Sequence, residues 1–356
     1  MFRKTTQGAM KIVVLTEGGQ DVGFGHVTRC LSLCQAFAAR QYEPGFIING
    51  DQSIRSIVAD KKFILLNWIK EEKELLHALE NIDVAIVDSY LAGAGVYKRI
   101  SETVPVPVFL DDYQRLAYPP GIVVNWNIHA RDLDYPRNNS VTYLLGPEYI
   151  ALREAFREVR EKKINKRVTQ VMITFGGDDS KNLTPMILRF LTRHYPGLKK
   201  HVVLGSAFTN GHEIAAAADN NTDLLSSPDD AGMKEIMLKS DIAVASGGQT
   251  LYELARVGVP TVAIAVADNQ RGNVNGWEKA GFIENAGFWT DSDLEEKLAD
   301  RFKRLMDLER RLQAVETGRL QVPGNGADKI VDFVLESLPP AALPGAKLLK
   351  KFDQNV

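Results

Sequence analysis

Short apolar runs punctuate the first half of the chain, at Ile12 to Leu15, Phe46 to Ile48, Phe63 to Leu66, Val84 to Val87 and Val106 to Leu110, each followed by an amphipathic stretch or a turn. Runs of four or five β-branched and aliphatic residues bounded by turn formers predict strands, and the 3.6-residue periodicity between them predicts helices. Nearly continuous apolar strands alternating with helices imply a parallel sheet covered on both faces. The rhythm restarts at Val171-Met172-Ile173-Thr174 and continues through Val202 to Leu204, Asp241 to Ala245 and Thr261 to Ala265. The expected fold class is therefore α/β, with two Rossmann-like, doubly wound parallel sheets facing across a cleft. Ligands of such sheets bind beyond the carboxyl ends of the strands, where strand order reverses.

Between the two rhythms, Arg153 to Arg167 is a charged segment of helix-forming residues and reads as a solvated helix and linker. The expected division is a first domain over 10–160, a second over 165–325, a C-terminal helix over 326–338 and a poorly ordered Pro/Gly/Lys-containing tail over 339–356. With 356 residues, two domains of ordinary size are the natural outcome.

Composition narrows the class of function. The chain is 45% hydrophobic and 25% charged, ordinary for a globular protein, and its formal charge of -2 offers no basic field for nucleic acid or an anionic membrane. Small-molecule chemistry is the better expectation. The chain starts Met1-Phe2-Arg3-Lys4-Thr5 and leads toward a strand rather than a signal sequence, no apolar run reaches bilayer length, and a cytoplasmic location without stable membrane insertion is expected. Cys30 and Cys34, four residues apart on an expected helix, read as two small buried side chains. No metal-ligand cluster and no cofactor motif is evident, and oligomeric state is not readable.

The most informative segment follows the first strand: Thr16-Glu17-Gly18-Gly19-Gln20-Asp21-Val22-Gly23-Phe24-Gly25-His26, leading into a helix that carries Arg29. Glycines at a strand-to-helix turn allow close backbone approach to a ligand, and the helix start favours phosphate. It is not a P-loop, and Thr28 replaces the third glycine of the dinucleotide fingerprint. His26 at the loop's mouth is a candidate proton acceptor, the alternative being a histidine that caps a helix or fills a polar niche. In the second half, Ser246-Gly247-Gly248-Gln249-Thr250 follows a strand directly and opens a helix, a second candidate anion site. Glu253 falls inside that helix as a candidate ribose ligand or a solvated glutamate. Gly258-Val259-Pro260 closes the helix, Asp268-Asn269-Gln270 ends the next strand, and Gly176 and Gly177 sit in Phe175-Gly176-Gly177-Asp178-Asp179 at the end of the domain's first strand.

Taken in order, GFGHVTRCL, IVDSY, LDDY, LLGPEYIALREAF, ITFGGDDSKNLT, SGGQTLYELARVGVP, ADNQ and PGNGADKI resemble a family of hydrolases. These remove UDP from UDP-diacetamido-trideoxy-altropyranose on the way to pseudaminic acid, and the spore-coat polysaccharide proteins are related to them. That family in turn resembles inverting two-Rossmann-domain (GT-B) glycosyltransferases, including the N-acetylglucosamine transferase of lipid II synthesis. The resemblance runs from about Ile12 to Val334.

It implies that His26 is the general base, that Tyr90 and Asn269 lie near the sugar and the attacking water, and that Gly23, Gly25 and Arg29 belong to the substrate loop. It further implies that the Ser246, Gly247 and Gly248 turn cradles the diphosphate and that Glu253 binds the ribose, while Gln249, Thr250, Gly176, Gly177 and Gln270 are candidate nucleotide contacts by position, a simple tight turn being the alternative for Gly176 and Gly177 and loop capping that for Gln270. The ligand implied is a UDP-sugar. One departure stands out: family loops present an arginine and an aspartate before the glycine-histidine, where this chain has Leu15-Thr16-Glu17-Gly18-Gly19. Two rival functions remain: an inverting glycosyltransferase in which His26 deprotonates an acceptor hydroxyl, and a nucleotide-sugar-binding protein without turnover. A lipid acceptor would call for an exposed apolar and basic patch, for which Asn67-Trp68-Ile69-Lys70 is the one candidate.

Overall fold

The structure is a computed structural model and describes residues 10–20 and 22–339. The expected lead-in from Met1 to Thr5 and the tail from Pro340 onward lie outside the described residues. The chain separates into two compact units, the first formed by residues up to Trp126, Ala130–Ala151 and the C-terminal segment from Asn325, the second by Asn127–His129 and Leu152–Gly324.

The first unit begins with β1 (Ile12–Gly18), α1 (Gly25–Ala38), β2 (Gly45–Gly50), β3 (Phe63–Leu65) and α2 (Glu72–Ala78). It continues with β4 (Val84–Asp88), α3 (Ala94–Thr103), β5 (Val106–Leu110), β6 (Gly121–Asn125) and β7 (Val141–Leu145). The second unit runs β8 (Gln170–Thr174), α4 (Leu183–His194), β9 (Lys199–Leu204), α5 (Gly211–Ala217), β10 (Thr222–Ser226) and α6 (Asp230–Lys239). Then follow β11 (Ile242–Ser246), α7 (Thr250–Val257), β12 (Thr261–Ala265), α8 (Asp268–Ala280), β13 (Ile283–Phe288), α9 (Leu294–Leu305) and α10 (Leu308–Gln321). Helix α11 (Gly326–Glu336) returns to the first unit. There Arg40 at the end of α1 clasps it, with Nη1 2.8 Å from Asp328 and Nε 2.7 Å from Asp332.

The first sheet has strand order β3-β2-β1-β4-β5-β6-β7 and the second β10-β9-β8-β11-β12-β13, all pairs parallel. The expected strands are all present. The flanking strands β6, β7, β10 and β13 were not among them; β10 (TDLLS) and β13 (IENAGF) carry polar residues or glycine because they form or border sheet edges, so the apolar signal fades there. Central strands β1, β4, β5 and β11 are buried along their whole length.

In both sheets the strand order reverses once, between β1 and β4 in the first and between β8 and β11 in the second. Those are the points at which open α/β sheets leave a crevice for ligands. Helix α7 stops where expected: Gly258 takes φ 84° and its N–H reaches the Leu254 carbonyl at 2.9 Å, a left-handed cap that leads into Pro260.

Two expectations need correction. Arg153 to Arg167 forms no continuous helix, only one 3-10 turn over Glu154–Phe156. Its carbonyls are taken by arginines instead: Phe156 and Arg157 accept from Arg256, and Asn165 and Lys166 accept from Arg311. Nor is it wholly solvated, since Lys162 is buried with its ammonium on the Met237 and Ser240 carbonyls, and burial lowers its pKa to about 8. The second correction concerns Asn67-Trp68-Ile69-Lys70. Trp68 is fully buried in the first unit's core and donates its indole N–H to the Thr16 carbonyl at 2.9 Å, so this segment offers no membrane-facing indole.

Candidate active site

The loop after β1 folds back on itself. Gly19 and Gly23 exchange backbone hydrogen bonds of 3.1 and 2.8 Å, Gly23 has φ 80°, and Asp51 accepts from the Gln20 N–H at 2.9 Å. This closed turn delivers Gly25 as the first residue of α1 and His26 as the second, with no side chain capping the helix start.

His26 is nearly buried and its ring is clamped. Nδ1 lies 2.8 Å from Oδ1 of Asp88, the last residue of β4. A carboxylate can only accept, so Nδ1 carries the hydrogen, and in the neutral ring Nε2 is then the nitrogen with the lone pair. Nε2 lies 3.8 Å from Oε1 of Glu17.

Arg29, one turn further along α1, braces the same carboxylate. Its Nε is 2.6 Å from Asp88 Oδ2, its Nη2 bonds Oδ1, and its Nη1 forks onto both oxygens of Asp112 at 2.9 and 2.8 Å. The ring of Trp126 lies under the guanidinium at 5.6 Å. Arg29, expected in the substrate loop, stands between two carboxylates. Burial works against the Arg29 charge, but Asp112 and Asp88 more than compensate and raise its pKa further. Burial likewise pushes Asp88 upward, yet the charge of Arg29 and the hydrogen bonds that Arg29 and His26 donate prevail and hold its carboxyl well below the usual range. Asp112 is lowered in the same way, Arg29 overcoming the effect of burial.

Tyr90 completes the cluster. Its ring meets His26 edge-on, with centroids 4.4 Å apart and planes at 89°, and its hydroxyl donates to Asp112. Burial and then the adjacent Asp112 drive the phenol pKa far upward, so Tyr90 acts only as a neutral hydroxyl. Its backbone N–H donates to Glu17 Oε1 at 2.7 Å. The expected residues His26, Tyr90 and Arg29 thus come together, and three carboxylates that were assigned no role, Glu17, Asp88 and Asp112, prove to organise them. The signal was available: each sits at or just after the carboxyl end of an apolar run, where a buried acid needs a reason.

In the second unit the glycine turn is built from amides. Ser246 ends β11, and the Gly247 N–H donates to Gln270 Oε1 at 3.1 Å, while the Gly247 carbonyl accepts from Asn273 Nδ2 at 2.7 Å. A Cβ on Gly247 would stand 2.5 Å from Val274 Cγ2, so a side chain there would force Val274 to move. Gln249 and Thr250 begin α7. Gln270 also accepts the Val266 N–H at 3.0 Å, which makes it a brace of the turn, and Asn269 stands exposed on the first turn of α8. Glu253 is buried, and both of its oxygens pair with Arg153, Nε and Nη2 each at 2.7 Å. It is neither a solvated glutamate nor a bare acceptor. Gly176 and Gly177 occupy the turn after β8, Gly176 with φ 80°, and the Gly177 carbonyl accepts from Ala207 at 3.0 Å. Of the two acidic residues that follow, Asp179 is spent on structure, capping Leu183 and Thr184 at the start of α4 at 3.0 and 2.9 Å.

Among the described residues no group of side chains is arranged to hold a metal ion, and no helix is long and apolar enough to cross a membrane.

Two Rossmann-like, all-parallel sheets, each with one reversal of strand order, are the fold of the GT-B glycosyltransferases. Solved structures agree: MurG of Acinetobacter baumannii superimposes over 92% of this chain and 99% of its own with a TM-score of 0.66 at 15% identity. A Phytolacca americana glycosyltransferase, UGT2, solved with UDP-2-fluoro-glucose and pterostilbene, does so over 92% and 99% with a TM-score of 0.67 at 11% identity. No family model matches the chain.

Among curated proteins, the chain is similar to the spore coat polysaccharide biosynthesis protein SpsG of Bacillus subtilis, at 22% identity covering 90% of this chain and 96% of that protein. It is also similar to the UDP-2,4-diacetamido-2,4,6-trideoxy-β-L-altropyranose hydrolase of Campylobacter jejuni, at 24% identity over 77% and 98%. An uncharacterised Methanocaldococcus jannaschii protein is 27% identical over 74% of this chain, which spans 57% of that longer relative.

Proposed function

We propose that this chain is a nucleotide-sugar hydrolase that cleaves a UDP-linked, acetamido-deoxy sugar at its anomeric carbon with inversion, releasing UDP and free sugar for surface-polysaccharide or nonulosonic acid synthesis. The observation that carries the proposal is the His26–Asp88 pair, which fixes Nε2 as the nitrogen with the free lone pair. A base so oriented takes a proton from water as the oxygen attacks carbon. A nucleoside diphosphate is a good leaving group once its charge is met by N–H donors, so no carboxylic acid of the ordinary glycosidase type is demanded. The Ser246-Gly247-Gly248 turn at the start of α7 is the proposed cradle of the diphosphate, with Gly176, Gly177, Gln249 and Thr250 beside the nucleotide and Asn269 toward the sugar. Glu253 is proposed to meet the ribose with the lone pairs that Arg153 leaves. Residues 10–160 are then the catalytic portion and 165–325 the nucleotide-binding portion. The names of the Campylobacter and Bacillus relatives support this substrate class.

A transferase reading has one observation in its favour. Leu91 and Tyr113, next to Tyr90 and Asp112, are 56% and 43% exposed, an apolar rim on which an acceptor could rest. Incubating the full chain with a panel of UDP-, GDP- and CMP-linked sugars separates the possibilities. Hydrolysis predicts UDP release without any acceptor, and His26→Ala should lower turnover by about 10²- to 10⁴-fold with donor binding retained. Release that requires an added alcohol would establish the transferase, and no release from any donor, with donor binding unchanged in His26→Ala, would leave only a binding protein.

A further inference from the structure

Glu17 occupies the place where the loop departs from the family pattern, and its surroundings are unusual. It is fully buried, and its carboxylate accepts from the Ser89 hydroxyl, the Tyr90 N–H at 2.7 Å and the Leu91 N–H at 3.4 Å. Every partner is a donor, which is the arrangement of an ionised carboxylate. Among the described residues no lysine or arginine is paired with it, and the His26 ring, which can become a cation, has its Nε2 3.8 Å away. At that separation no hydrogen bond exists while Nε2 holds a lone pair, since both atoms are then acceptors. Once Nε2 is protonated, a ring shift of about 1 Å brings N–H and carboxylate to charge-assisted distance.

We propose that Glu17 is a positioning residue that acts through His26, taking the Nε2–H of the imidazolium formed during the reaction. This rests on the proposed hydrolysis. In that step an O–H bond of water breaks and its proton passes to Nε2. The oxygen forms the new bond to the anomeric carbon, and the bond from that carbon to the diphosphate breaks, its electron pair leaving with UDP. Glu17 gains its interaction only as the proton arrives, so it stabilises the later state and not the resting one, the kind of contact that raises turnover rather than affinity. The charges around the ring are consistent with this. Asp88 and Asp112 share the Arg29 guanidinium, and protonating His26 supplies a second positive charge, beside Glu17.

The test compares Glu17→Gln, which keeps the shape and removes the charge, with Glu17→Asp, which keeps the charge and shortens the arm. Turnover of the UDP-sugar that the wild type cleaves should fall about 10- to 100-fold in Glu17→Gln with KM unchanged, and Glu17→Asp should be the faster of the two. A merely structural role would give the opposite order, and that order, or a Glu17→Gln turnover within about threefold of wild type, would overturn the proposal. A substrate-free arm keeps it separate from the hydrolase reading. In acidified full-length protein, ¹⁵N-edited NMR should show the His26 Nε2–H downfield and Glu17→Gln should move it upfield, leaving the Nδ1–H on Asp88 in place. An Nε2–H insensitive to the substitution sinks the proposal even if hydrolysis is proven.

Discussion

At the carboxyl ends of β1, β4 and β5 the first unit gathers three carboxylates, a guanidinium and an imidazole, whereas at the carboxyl end of β11 the second presents glycine backbone held by Gln270 and Asn273, with another glycine turn after β8. Both are switch points of the same kind of sheet, so the difference lies in side chains rather than in topology. Paired charges that fix one tautomer serve proton transfer. Uncharged N–H donors on a glycine turn serve a ligand that brings its own negative charge. A diphosphate would be repelled by the first arrangement, and water would not be activated by the second.

The contrast breaks most severely at Asp88. Asp88→Asn offers the ring an amide, frees Nδ1 from its acceptor and lets the hydrogen move to Nε2. Turnover should fall about 10²- to 10⁴-fold while UDP binding, measured by calorimetry, stays within about threefold. Arg153→Ala is the counterpart in the second unit, leaving Glu253 buried without its fork; denaturant unfolding should show a loss of about 3–5 kcal/mol. Gly247→Ala should act on affinity alone. Its Cβ forces Val274 to shift and disturbs the turn, so UDP binding should weaken roughly tenfold or more, with the His26 tautomer seen by NMR unchanged.

Acid should separate the units next. Asp88 and Asp112 have folded pKa values below their unfolded ones, so their stabilisation is fully present above about pH 4 and is lost as pH falls toward the folded values. Thermal melting of the wild type should therefore be flat from neutral pH to about 5 and drop below about 4, with a shallower drop in Asp88→Asn. The smallest effect is chemical. Burial pushes the Cys34 thiol up to about 12 and raises Cys30 as well, so a thiol reagent at mildly alkaline pH should label neither until the protein is unfolded.

Much of this was legible in the residues. The apolar runs that became β1, β4, β8 and β11 announced themselves because central parallel strands are buried on both faces, and Gly258-Val259-Pro260 announced the end of α7 because few other residues accept that backbone. His26 and the Ser246-Gly247-Gly248 turn were found from local pattern for the same reason. What pattern could not reveal was pairing at a distance. Asp88 is 62 residues from His26, Asp112 is 83 from Arg29 and Arg153 is 100 from Glu253. Their partners are set by strand order, which short-range periodicity does not encode. Trp68 misled for a related reason: beside Lys70 it looked interfacial, and only the sheet shows that the Thr16 carbonyl beneath it needed a donor.

The central claim is attack by water at the sugar carbon, assisted by His26. It is tested most directly by running the reaction in ¹⁸O-labelled water with a UDP-sugar that the protein cleaves, and weighing both products by mass spectrometry. One ¹⁸O in the released sugar and none in UDP is the predicted result. Label in UDP would mean attack at phosphorus and would contradict the account.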